Sequence, residues 1–177
     1  MKKYNTRTLI LIALFAALTA VLAQIQLPLG PVPFNLAVLG AFLAGMLLPP
    51  LAATLSMGVY MMLGIIGIPV FAGFAGGPAV LFGKTGGYVL GYLVIAFCTS
   101  FAMQKSGKLI PVACAMALGL VACYTLGTVW FMIFTGMGLM QSLTFCVLPF
   151  IIPDIVKGAC AWLLGKTLQV RLSEAVK

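Results

Sequence analysis

Residues 8–83 read TLILIALFAALTAVLAQIQLPLGPVPFNLAVLGAFLAGMLLPPLAATLSMGVYMMLGIIGIPVFAGFAGGPAVLFG, and from Thr8 to Gly83 there is no aspartate, glutamate, lysine or arginine. An apolar helix needs about 20 residues to cross the hydrocarbon core of a bilayer. A stretch this long and this apolar has no use in a water-soluble domain. A transmembrane barrel is excluded as well, because the apolar residues run continuously where a barrel strand would alternate.

The rest of the chain agrees. Of 177 residues, 63% are hydrophobic and 7% charged, against about 25% charged in soluble domains. Ten basic and two acidic residues cannot build a water-facing surface, so lipid is the solvent over most of the molecule. The net charge of +8 does not describe a nucleic-acid binder. The basic residues sit at the ends of apolar runs, as the positive-inside rule requires. There is no histidine, and Cys98, Cys114, Cys123, Cys146 and Cys160 all lie within apolar runs with no C-x-x-C pair. These cysteines read as small apolar filler, and neither a metal site nor a cofactor is expected.

Punctuation by proline and glycine divides the chain into six helices. The first runs from about Thr8 to Gln26 and stops before Leu27-Pro28-Leu29-Gly30-Pro31-Val32-Pro33, which cannot be helical. Lys2, Lys3 and Arg7 before an apolar run, with Val21-Leu22-Ala23 after it, could mark a cleaved signal. A retained helix is expected instead, because the chain needs it to reach an even number of crossings. The second helix runs from about Phe34 to Leu48 and the third from Pro49-Pro50 to about Ile66. Gly67 to Gly87 follows, too broken by glycine, Pro69 and Pro78 for a span and too apolar for an ordinary water-exposed loop. The fourth helix runs from about Gly86 to Met103 and the fifth from Leu109 to Phe134. A second irregular stretch, with a short helix near Ser142 to Val147, leads to a sixth helix from about Pro153 to Leu168. Proline is expected in the first turn of that helix, where its missing N–H costs nothing.

With the N-terminus inside, Lys2, Lys3, Arg7, Lys105, Lys108, Lys166, Arg171 and Lys177 all fall on the cytoplasmic side, which is eight of the ten basic residues. The expected fold is therefore an all-α integral membrane protein: one membrane domain over residues 1–177, six transmembrane helices, both termini cytoplasmic. No internal repeat supports an inverted-repeat transporter.

Two charges break the apolar pattern: Asp154 and Lys157 are the charges between Lys108 and Lys166. Three apart on a helix, they share a face. Snorkelling of Lys157 to the interface and an ion pair closing the helix start near its dipole are the structural alternatives. The functional expectation is a pair facing an interior cavity and binding a polar solute. Irregular backbone at membrane depth is tolerated where it is buried in protein or lines a cavity, which makes Gly67–Gly87 a candidate lid. Phe71, Gly73, Phe74 and Tyr88 are expected to wall the site, Gly73 by letting backbone come close to a ligand. Asn35, Gln24 and Gln26 are candidate hydrogen-bonding groups, or plain interfacial polar residues. On the first helix Ala13, Ala16, Ala17 and Ala20 form a small-residue ridge that suits close packing in lipid, against this chain or a separate subunit. Two acids, no histidine, no activated nucleophile and no P-loop argue against an enzyme, and any energy for active transport must come from ion coupling or from a partner.

The stretches Gly58-Val59-Tyr60-Met61-Met62-Leu63-Gly64-Ile65-Ile66-Gly67-Ile68-Pro69-Val70-Phe71-Ala72-Gly73-Phe74, Gly83-Lys84-Thr85-Gly86-Gly87-Tyr88 and Pro149-Phe150 with Asp154 and Lys157 resemble the BioY family. Its members are biotin-binding S components of energy-coupling-factor transporters. The resemblance spans essentially the whole chain. It implies a six-helix subunit of a bacterial cell membrane that captures biotin from outside, with a transmembrane coupling subunit and two cytoplasmic ATPases as partners. It also implies that the alanine ridge is the docking surface for the coupling subunit.

On that implication Asp154 is expected to accept from a ureido N–H of biotin. Lys157 would donate to the ureido carbonyl, with Asn35 as a further partner and Phe71, Phe74 and Tyr88 packing the ring or tail. The carboxylate would meet water or Lys84. The competing pose places the carboxylate on Lys157. The alternative function is an ion-coupled secondary transporter of biotin or a related solute with Asp154 as proton carrier. A ligand-free membrane scaffold is a third class.

Overall fold

A computed structural model of the chain describes residues 5–27 and 32–174, with side chains through residue 170. The described residues form eight helices and one small hairpin: α1 (Thr6–Gln24), β1 (Gln26–Leu27), β2 (Phe34–Asn35), α2 (Ala37–Leu47), α3 (Pro50–Ile65), α4 (Pro78–Leu81), α5 (Gly86–Lys105), α6 (Leu109–Thr135), α7 (Leu139–Cys146) and α8 (Leu148–Glu174). The strands pair antiparallel, Gln26 with Asn35 and Leu27 with Phe34. The expected turn is thus partly a hairpin, while its centre, Pro28 to Pro31, lies outside the described residues. Lys2, Lys3 and Lys177, invoked for orientation, also lie outside them, as does the side chain of Arg171.

Among the described residues four helices are long and apolar enough to cross a membrane: α1, α5, α6 and the Leu148–Val170 part of α8. α2 and α3 are apolar but shorter, at 11 and 16 residues. At about 1.5 Å per residue α2 covers roughly half of a hydrocarbon core about 30 Å thick. The packing explains why α2 tolerates its shortness. It lies at the centre, against α1, α5 and α8, and residues 40–46 are all buried. Such a helix meets protein along its length and has no bilayer thickness to match. The outer helices carry the lipid-facing side chains, among them Leu14, Val21, Leu118, Ile133, Ile152 and Leu163. The chain is a multi-pass membrane protein.

Small residues set the closest helix packing. On α5, Gly87 and Gly91 lie against α6 at Leu126–Gly127 and Cys123, and on α6 Gly127 lies under the ring of Tyr88. Any side chain at these glycines would drive the helices apart, which is how bundles in lipid gain contact. The alanine ridge of α1 divides between two surfaces. The inward stripe of α1 is Ile12, Phe15, Ala16, Thr19 and Ala23, spaced at three and four residues. Ala16 is 1% exposed in the core, Ala20 is half-buried, and Ala13 and Ala17 face outward. Ala16 therefore does not belong to an outward docking surface. A 3.6-residue period carries it to the side that meets α2 and α3.

The last helix begins earlier than its prolines suggested. α8 starts at Leu148, so Pro149 takes the first-turn position and Pro153 lies inside the helix. Pro153 cannot donate to the carbonyl four residues back, which removes one bond from the α8 ladder. Asp154 consequently sits almost two turns into α8 and not at its start. The dipole argument for Asp154 falls with this, since that field fades within the first turn.

Candidate functional site

The β1–β2 hairpin, the α3–α5 connection and α7 all lie at one end of the bundle, and between them a cavity of about 230 Å³ enters the helices. Asp154 and Lys157 lie at its wall, 3% and 5% exposed. The Lys157 Nζ donates to Asp154 Oδ1 at 2.6 Å and to the main-chain carbonyl of Asn35 at 2.7 Å. Its third direction meets the face of Phe34, with Nζ 4.1 Å from the ring centroid. All three ammonium donors are thus matched, which a buried lysine requires. Lys157 does not snorkel. The second carboxylate oxygen, Oδ2 of Asp154, accepts from the hydroxyl of Tyr124 on α6 at 2.7 Å. An ionised carboxylate offers about four lone-pair positions, so two remain for a ligand.

Asn35 borders the cavity, and its side-chain oxygen accepts from the Ala37 N–H at 2.9 Å, capping the start of α2. The group that it can best offer a ligand is its amide nitrogen. Tyr88 forms part of the wall with its ring. Its hydroxyl lies 3.4 Å from Thr128 Oγ1 and 3.5 Å from the Cys146 carbonyl, so it ties α5 to α6 and α7.

The α3–α5 connection covers the cavity, with Phe71, Ala72, Ala75, Val80, Lys84 and Thr85 on its lining. Phe71 is buried, its ring resting on Gly64 and meeting Tyr60 edge-on at 5.5 Å. Gly73 and Phe74 do not line the cavity. Phe74 is 71% exposed, and Gly73 is exposed at a positive φ of 73° beside the Gln26 side chain. The segment turns back there, Phe71 N–H donating to the Ala75 carbonyl, and carries both residues to the outside of the lid. Lys84 is exposed on the rim.

Gln24 is a clamp. Its amide donates to the carbonyls of Val70 and Phe71, both at 3.1 Å, and its oxygen accepts from Phe74 N–H at 2.9 Å. The last residue of α1 thus satisfies three backbone groups of the lid. Trp130 on α6 holds the other half, donating to the Gly83 carbonyl at 2.9 Å.

Several site residues escaped the sequence reading: Phe34, Tyr60, Tyr92, Tyr124 and Phe150, and the thiols of Cys123 and Cys146. Phe34 and Phe150 stack at 6.4 Å beneath the lysine. A signal existed in Tyr88 and Tyr92, four apart on α5 and therefore on one face. A tyrosine inside an apolar helix needs a partner for its hydroxyl, and Tyr60, Tyr92 and Tyr124 all pose that question.

The pattern that defines the BioY family matches residues 1–174. The chain belongs to the BioY family. Among its relatives, the probable biotin transporter BioY of Pyrococcus horikoshii is 42% identical, the match covering 90% of this chain and 94% of that one. The biotin transporter BioY of Thermotoga maritima is 36% identical over 92% of this chain and 96% of its own. The biotin transporter BioY2 of Lactococcus lactis subsp. cremoris is 36% identical, with 98% and 97% covered. The fold is similar to a crystal structure of the S component for biotin from an ECF-type ABC transporter. The TM-score is 0.86, the identity 28%, and the match covers 94% of this chain and 95% of that one.

Proposed function

We propose that this BioY protein is the biotin-binding membrane subunit of a vitamin uptake system driven by a separate ATP-hydrolysing module. The observation that carries the proposal is the Asp154–Lys157 pair at the wall of a cavity otherwise lined by aromatic and apolar side chains. Biotin combines two N–H donors and one carbonyl on a ureido ring with an apolar bicycle and tail. A buried site must answer each polar group, since an unmet donor or acceptor costs about 1–3 kcal/mol.

In the proposed pose Asp154 accepts one ureido N–H with its spare lone pairs. Lys157 donates to the ureido carbonyl, and the contact that it gives up is the one to Phe34, the weakest of its three. Asn35 contributes its amide nitrogen. Phe71, Tyr60 and Tyr88 enclose the apolar part, and the carboxylate points to the rim and Lys84. The reversed pose, with the carboxylate on Lys157, would bring a second anion within reach of Asp154, and that repulsion disfavours it.

The subunit forms one membrane domain in which α2 and α3, joined at Pro49, complete a six-helix bundle with the four long spans. Both termini are cytoplasmic, and the cavity opens to the outside. Its partners are a transmembrane coupling subunit, which docks on the outward alanines of α1, and two cytoplasmic ATPases. Biotin is cargo, and the role calls for no cofactor. The ion-coupled alternative asks Asp154 to carry a proton, yet Asp154 is tied to Lys157 and Tyr124. Uptake of labelled biotin in cells tests the reading. It should require the partner ATPase and survive collapse of the proton gradient. Uptake that follows the gradient and ignores the ATPase contradicts it.

A further inference from the structure

Asp154 stands on a seam. On one side is the ligand cavity. On the other is a second, apolar groove of about 490 Å³ between α6 and α8, lined by Phe42, Met116, Leu120, Trp162 and Asp154 itself. α6 packs along α5, and α8 packs on α2, while α6 and α8 meet only slightly. Gly158, one turn beyond Asp154, adds no side chain to fill the seam. A carboxylate held at Oδ1 alone can turn about its last torsion. Between two helices that meet so slightly, that freedom lets its lone pairs point away from the ligand.

We propose that Tyr124 is a positioning residue for ligand recognition. Its hydroxyl, bonded to Asp154 Oδ2 at 2.7 Å, supplies the second fixed point that sets the plane of the carboxylate and keeps its free lone pairs on the cavity side. With Lys157 on Oδ1 and Tyr124 on Oδ2, the acceptor is oriented before the ligand arrives, so binding does not have to order it. Tyr124 acts through Asp154. It selects for a ligand with an N–H donor where Asp154 accepts, and contributes less for one without. The inference rests on the reading of Asp154 as the ureido acceptor.

The test is equilibrium binding to the purified full chain, in wild type and Tyr124→Phe, of biotin and of biotin methylated on both ureido nitrogens. Wild type should prefer biotin. In Tyr124→Phe the affinity for biotin should fall about 10-fold, the scale of one hydrogen bond to a charged group. Affinity for the methylated analogue should hardly change, so that selectivity shrinks. In an Asp154→Asn background the Tyr124→Phe change should have no further effect on selectivity, which separates positioning from general damage to the fold. Equal weakening of both ligands, or unchanged selectivity, overturns the role of Tyr124 alone. A wild type that fails to distinguish the two ligands overturns the reading of Asp154, and this inference with it.

Discussion

Lys157 Nζ lies 2.6 Å from Asp154 Oδ1, one helical turn away, with both side chains closed off from the surface. A buried pair of this kind contributes little net stability, but removing one member leaves the other charged and alone, at a cost of about 3–5 kcal/mol. Asp154→Asn and Lys157→Met should each lower the thermal midpoint of the ligand-free protein. The double variant should be more stable than either single one. All three should lose at least about 1.5–3 kcal/mol of biotin affinity, the range for hydrogen bonds to charged groups. Thermal unfolding and calorimetric titration on the same preparations check both parts.

The Gln24 clamp predicts a kinetic phenotype. Gln24→Ala removes three bonds to the lid, each worth about 0.5–1.5 kcal/mol net, and touches nothing in the cavity. Biotin should dissociate about 10-fold faster or more for a loss of that size. Backbone amides of residues 67–77 should exchange faster, with the helices unaffected. A ligand-chase measurement gives the first result and hydrogen exchange the second.

Two glycines of α3 should respond in opposite ways. At Gly58 an added Cβ meets nothing within 4 Å, so Gly58→Ala should be neutral or stabilise by up to about 1 kcal/mol through helix propensity. At Gly64 the added carbon falls within the ring of Phe71. Gly64→Ala should cost about 1–3 kcal/mol through overpacking and lift Phe71 from the cavity wall. Midpoints for the pair, with biotin affinity for Gly64→Ala, test the packing of the lid.

If the coupling subunit docks on the outward alanines of α1, as proposed, substitutions there should separate binding from transport. Ala17→Trp should leave biotin binding near normal, while weakening co-purification with the coupling subunit and lowering uptake. Ala16→Trp should damage folding and binding together, because Ala16 is in the core. Assembly and uptake that are normal in Ala17→Trp exclude that position from the docking surface.

Much of this was legible in the sequence because the bilayer restricts what a chain can do. The run from Thr8 to Gly83 excluded a water-soluble domain, and Asp154 and Lys157 stood out because a charge there must be answered. What was not legible depended on long-range contacts. Phe74 and Gly73 belong to the same motif as Phe71, yet the bridge from Phe71 to Ala75 turns them to the opposite face. The roles of Tyr124 and Phe34 rest on contacts with residues 30 or more positions away. Pro153 misled by its type: proline favours a first turn, but Pro149 already held that place. Within the alanine ridge Ala16 was misplaced by phase, since spacing at four alone does not say which side of α1 meets the protein.

The most direct test of the central claim is a ligand screen on the purified wild-type chain, without partners, by thermal shift and titration calorimetry with biotin, thiamine and riboflavin. A ligand that binds the native state raises the apparent midpoint in proportion to the logarithm of its concentration once saturating. Biotin should do so and titrate one to one, with thiamine and riboflavin having little effect; for the thiamine cation the site offers one acid, already paired with a base, and no second. Greater stabilisation by thiamine or riboflavin than by biotin, or no heat of binding with biotin, would contradict the account.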